Sequence, residues 1–152
     1  MRGTDVLPPR VTGHGAPSSP EEGFLADTSA LVRFYRGQTS PGWDETVTAG
    51  LVGLCEPVRQ EYLRAVGGHA DYYEADAVLH ETFPHYSVPD QACQETARLQ
   101  RNLADRSQHQ SASPVDLLVA VTAAHHKLTV LHADRDFEAI ARITGQPVRR
   151  ID

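Results

Sequence analysis

Cysteine is scarce in this chain, with only Cys55 and Cys93 in 152 residues. Both sit among apolar neighbours, so the expectation is two free, buried thiols rather than a disulfide, as in a reducing compartment. No apolar run approaches the roughly 18 residues that a membrane span requires. The first residues also lack the charged, apolar, small-residue order of a secretory signal, and the expected location is cytoplasmic. Positive charge is short as well: 14 Lys and Arg stand against 20 Asp and Glu, a formal charge of −6 with no polybasic stretch. Proteins that hold nucleic acid by phosphate neutralisation are usually basic. The balance counts against that class unless bound cations offset some carboxylates and arginines cluster locally. Arg33 and Arg36, then Arg98, Arg101 and Arg106, are the candidate clusters. Each also reads as a solvated helix face. His125, His126 and His132 lack the spacing of a zinc site.

What the chain does contain fits one domain of ordinary size with a full apolar core. Residues 1–22 hold much of the Pro and Gly and almost no periodic apolar pattern. They are expected to be a disordered extension, or an over-long start of the reading frame, outside a domain spanning 23–152. From Phe24 onward, short apolar runs alternate with helical segments. Strands are expected at 24–26, 51–55, 86–88, 128–132 and 148–151. Helices are expected over 29–36, from a Ser40-Pro41 start to about 50, from Pro57 to 66, over 70–83, from Pro89-Asp90 to about 107, over 114–126 and over 137–144. Gln108–Ala112 reads as a polar loop. The 114–126 helix is apolar nearly all round and should be buried. Strands separated by helices throughout predict an α/β fold with a parallel sheet covered on both faces.

Acids fall at the ends of these elements. Asp27 follows the first strand, with Thr28 or Ser29 as the expected helix cap. Glu61 lies in the helix after the second strand, Asp116 in the first turn of the buried helix, and Asp134 just past Leu131-His132-Ala133. In a parallel sheet all four converge on the edge where strands end and helices begin. Helix N-termini favour an anion by about 0.3–1 kcal/mol each, too little to offset repulsion among several carboxylates. A hard divalent cation such as Mg²⁺ or Mn²⁺ would resolve the conflict. Singly, each acid also has a plainer reading: Asp27 as a cap, Asp116 as the capping partner of Ser113, Glu61 as surface, Asp134 as a turn former.

Three strings, Asp27-Thr28-Ser29-Ala30-Leu31, Ser113-Pro114-Val115-Asp116-Leu117-Leu118-Val119-Ala120 and Leu131-His132-Ala133-Asp134-Arg135-Asp136-Phe137, resemble PIN-domain nucleases. The similarity is greatest to the VapC toxins of type II toxin–antitoxin systems and spans roughly residues 24 to 151. It implies a three-layer α/β/α PIN-like domain with a central, mostly parallel sheet. It also implies a metal-dependent endoribonuclease whose acids Asp27, Glu61, Asp116 and Asp134 bind one or two Mg²⁺ or Mn²⁺ ions. Thr28 or Ser29 would lie beside the first acid, helping to orient metal or water. Two positions depart from the family pattern. His132 stands where a Thr or Ser often precedes the fourth acid, and Glu56 competes with Glu61 for the glutamate position, Glu61 being preferred. Asp136 reads either as an aid acting through water or as a helix cap.

The resemblance further implies a cognate antitoxin seated by helix-in-groove docking along residues 31–66, an RNA substrate, a homodimer and no membrane partner. Single-stranded RNA is the expected substrate, since phosphates are most accessible where the strand is unstacked. Tyr35 and Trp43 are candidate stacking surfaces that read equally as packing residues. The rival from another class is a catalytically silent PIN-like module that binds an antitoxin or RNA; the presence of all four acids speaks against it. A haloacid-dehalogenase-type phosphatase would need an Asp where Ser29 stands, and no G-x-S-x-G nucleophile elbow occurs.

Overall fold

Among the described residues the sheet has four strands, β1 (Phe24–Ala26), β2 (Val52–Gly53), β3 (Thr129–His132) and β4 (Val148–Arg150), in the spatial order β2-β1-β3-β4. Every pairing is parallel, with Leu25 opposite Gly53 and Val130, and His132 opposite Arg150. Successive strand residues point to opposite faces, yet Phe24, Leu25 and Ala26 are all buried, as are Val130 and Leu131. Both faces of the central strands are therefore covered, and the architecture is a three-layer α/β/α sandwich. This computed structural model describes residues 22–152. The expected extension over 1–22 lies outside the described residues except for Glu22, which pairs with Arg149 at 3.1 Å.

Seven helices are found among the described residues: α1 (Thr28–Tyr35), α2 (Trp43–Thr48), α3 (Glu56–Arg64), α4 (His69–Thr82), α5 (Ala92–Ala104), α6 (Pro114–His126) and α7 (Asp136–Thr144). As its composition requires, α6 buries residues on several sides, among them Leu117, Val119, Ala120 and Ala123. It ends at Lys127 in the left-handed region, φ 60°. The core runs through β1, where the Phe24 ring meets the wholly buried Trp43 edge to face at 5.1 Å.

Four local expectations need correction. Residues 86–88 form no strand. A single parallel bridge joins Leu54 to His85, through Leu54 N–H to Pro84 O (2.9 Å) and Tyr86 N–H to Leu54 O (2.8 Å). Pro84 and Pro89 flank this stretch and offer no N–H to lengthen the ladder. The second helix starts at Trp43 after Gly42 (φ 97°), not at Ser40. Ser40 instead spends both its N–H (2.9 Å) and its hydroxyl (3.2 Å) on Ile151 O. Cys93 is exposed while Cys55 is buried, and both are free thiols. The buried stripe of α5 runs through Ala92, Leu99 and Leu103, and Cys93 lies one residue off it. Finally, α1 is capped by Asp27 rather than by Thr28 or Ser29, because the carboxylate itself accepts the Ala30 N–H.

Candidate active site

Asp27 leaves the C-terminal end of β1 and caps α1, accepting the Ala30 N–H at 2.8 Å. Ser29 donates its hydroxyl to the same carboxylate, at 2.8 and 2.9 Å from its two oxygens. Only 3% of Asp27 is exposed. Burial pushes its carboxyl up to about 8; the bonds from Ala30 and Ser29 oppose this, while the charges of Asp134 and Asp116 add to it. A carboxyl raised that far is largely protonated at neutral pH.

Asp116 fills the third position of α6 and closes a reciprocal cap with Ser113. Its carboxylate accepts the Ser113 N–H (2.9 Å), while the Ser113 hydroxyl accepts the Asp116 N–H (3.1 Å). The plain capping role and a place in the site therefore coexist in one residue. Burial, then Asp136 and Asp134, raise its carboxyl to about 6 against the bonds from Ser113. Asp134 follows β3 and accepts the Asp136 N–H at 3.0 Å. Asp136 opens α7, and burial together with Asp134 raises its carboxyl as well. Glu61 arrives from α3 and accepts a short hydrogen bond from the Thr28 hydroxyl.

These five acids share one cleft of about 430 Å³, walled by Thr28, Ser29 and the 110–113 loop. All four acids singled out in the sequence are brought together, and Asp136 joins them as a full member of the wall. Glu56 is not among them: it is exposed and engaged by Arg59 and Gln60, each at 2.8 Å. His132 is buried and points at Asp134 O, 2.8 Å from Nδ1. A carbonyl only accepts, so Nδ1 carries the proton; burial lowers the ring's pKa, which keeps it neutral.

Other sequence candidates lie elsewhere. Trp43 is core and offers no stacking face, whereas Tyr35, 40% exposed, stands beside Tyr62 with ring centres 6.0 Å apart. Arg33 pairs with Asp152 at 3.2 Å. Arg98 pairs with Glu95 and lines a different cavity, of about 740 Å³, near the opening of β3 with Leu128 and Thr129.

The sequence pattern of the PIN domain matches residues 24–143. Ribonuclease VapC2 of Mycobacterium tuberculosis (strain CDC 1551 / Oshkosh) is 35% identical over 136 residues, covering 86% of this chain and 94% of that protein. The chain belongs to the PIN-domain family, in its VapC branch. Ribonuclease VapC21 of the same strain is 29% identical over 125 residues, covering 82% of this chain and 91% of its own length. Among solved structures, the toxin–antitoxin complex VapBC-5 of Mycobacterium tuberculosis superposes with a TM-score of 0.61 at 26% identity, covering 86% and 98% of the two chains. VapBC2 of Rickettsia felis, bound to a promoter DNA fragment, gives 0.68 at 12% identity over 85% and 98%, a likeness of fold.

VapC ribonucleases with this domain are in general dependent on a divalent metal. The donor set here suits one: carboxylate and hydroxyl oxygens are hard ligands, and burial, with a smaller contribution from neighbouring acids, makes the ionised forms of Asp27 and Asp116 costly without a counter-charge. Among the described residues no three acid, imidazole or thiol groups are already drawn together as a ligand set. Asp27 and Asp116 are turned onto Ser29 and Ser113 instead. No helix among them is long and apolar enough to cross a membrane.

Proposed function

We propose that this PIN domain is an endoribonuclease, the toxin of a type II toxin–antitoxin pair, cutting RNA phosphodiester bonds with Mg²⁺ or Mn²⁺. The observation that carries the reading is the buried, proton-holding Asp27 in one cleft with Glu61, Asp116, Asp134 and Asp136. The kinship with proteins named ribonuclease VapC supports the substrate class. Asp27, Asp116, Asp134 and Glu61 would hold the cation. When bound, it stabilises charge building on the phosphate and lowers the pKa of water.

The chain's own residues prepare that chemistry. Ser29 engages both oxygens of the Asp27 carboxylate, and the Ala30 N–H adds a second bond to Oδ1. Thr28 sets the direction of Glu61, and the Ser113 N–H that of the Asp116 carboxylate. Such pinned oxygens need little reorganisation when substrate arrives. A cognate antitoxin would dock along residues 31–66, where exposed Tyr35 and partly buried Tyr62 offer aromatic surface. A homodimer and a cytoplasmic site of action complete the reading.

The test is cleavage of single-stranded RNA by the purified protein. Activity is expected with Mg²⁺ or Mn²⁺, none with EDTA, and a loss of at least about 100-fold in Asp116→Asn with unchanged circular dichroism. Cleavage by Asp116→Asn or in EDTA at the wild-type rate refutes the proposal. A wild type that binds antitoxin yet never cuts RNA would instead make the domain a silent binding module.

A further inference from the structure

The turn that carries Asp134 and Asp136 is held by side chains from three separate stretches of chain. Ser29, from α1, accepts the Ala133 N–H at 2.9 Å. His132 donates from Nδ1 to Asp134 O at 2.8 Å. Arg150, at the end of β4, donates to Ala133 O at 3.0 Å and to Asp134 O at 3.4 Å. Just upstream, Leu131 O accepts the Asp27 N–H and His132 O accepts the Ile151 N–H, both at 2.9 Å.

We infer that Arg150 is a positioning residue of the active site, the arm of a clamp that aims the Asp134 and Asp136 carboxylates into the cleft; the functional part of this inference rests on the nuclease reading. The parallel register places Arg150 beside His132. Its guanidinium is itself held by a fork onto Asp152, Nε at 3.1 Å from Oδ1 and Nη2 at 3.2 Å from Oδ2. Asp152 is also paired with Arg33 of α1. A planar fork fixed on one edge presents its remaining N–H groups in a set direction. The carbonyls of Ala133 and Asp134 lie along it. A lysine has one compact charge and can satisfy part of this pattern, but not both sides at once. His132, which stands where the family often has a hydroxyl, works in the same clamp, with Ser29 supplying a hydroxyl from the first turn of α1.

Arg150→Met and the conservative Arg150→Lys test the clamp, first on metal-free protein by amide hydrogen exchange. In Arg150→Met the amides of Ala133 and Asp136 are expected to exchange at least about tenfold faster, with those of Ala30 and Ala120 within about twofold. Equal rates at Ala133 and Asp136, or uniform acceleration everywhere, overturn the inference whatever the protein's activity. The second readout is Mn²⁺ affinity by titration calorimetry, together with RNA cleavage per folded molecule. Arg150→Met is expected to weaken Mn²⁺ about tenfold and lower kcat about tenfold, with KM for RNA within about twofold and Arg150→Lys intermediate. Unchanged affinity and kcat with only a lowered Tm would make Arg150 structural and overturn its positioning role. A wild type that neither binds Mn²⁺ nor cuts RNA removes the nuclease reading, while exchange still decides the clamp.

Discussion

Replacing the most buried acid of the site should make the protein more stable while destroying its activity. Asp27→Asn retains a cap, since an asparagine oxygen can accept the Ala30 N–H as the carboxylate does. It removes a group whose carboxyl shifts from 3.8 to about 8 on folding, chiefly through burial. The sign follows directly. The native state keeps a proton that the unfolded chain releases above about pH 4, so stability from this group is intact below that point. It falls as pH rises and is gone once pH passes about 8. At about 1.4 kcal/mol per tenfold, the native state loses up to about 4 kcal/mol by pH 7 relative to a neutral side chain. In a domain of this size that corresponds to a Tm gain of up to about 8–16 °C for Asp27→Asn. The assay is thermal melting of both proteins in EDTA from pH 4 to 8.5. The curves should coincide near pH 4 and separate steadily toward pH 8, and Mg²⁺ should narrow the gap by stabilising only the wild type. A variant less stable than wild type at pH 7.5, or a gap independent of pH, would refute the electrostatic account of the cleft.

Glu61→Gln should lower RNA cleavage about tenfold or more, whereas Glu56→Gln, altering an exposed partner of Arg59 and Gln60, should leave it within about twofold; single-turnover kinetics separate the two. Gly53→Ala should cost about 1–3 kcal/mol in urea unfolding, because a Cβ there would run into the Tyr86 ring and lie 2.9 Å from Pro84 O.

Signals confined to a few neighbouring residues are legible in the sequence itself. The end of β1 at Asp27, the Ser113-Pro114-Val115-Asp116 cap and the apolar run of α6 each rest on local chemistry, and each lies where expected. Pairing across the sheet was not readable in that way. Arg150 reaches Ala133 only because β4 lies parallel to β3 in one register, and nothing within Val148–Ile151 announces that partner. The same reason hid the fate of Ser40: its neighbours spell a helix start, but a distant carbonyl, Ile151 O, takes its N–H. Tyr86–Val88 looked like a strand from composition, yet the flanking prolines leave a single bridge. Asp136 reads in the sequence as an aid acting through water or as a helix cap; the cap of α7 is Arg135, and the closeness of Asp136 to Asp116 depends on how α6 and α7 meet.

The lone tryptophan of the sequence is sealed against Phe24, on the strand that ends at Asp27. Its indole Nε1 is buried without a hydrogen-bond partner among the described residues. Such an indole should emit at short wavelength when native and shift to the red on denaturation. The fluorescence of unlabelled protein thus reports the integrity of the floor beneath the acids, and every variant described above carries its own optical gauge of folding.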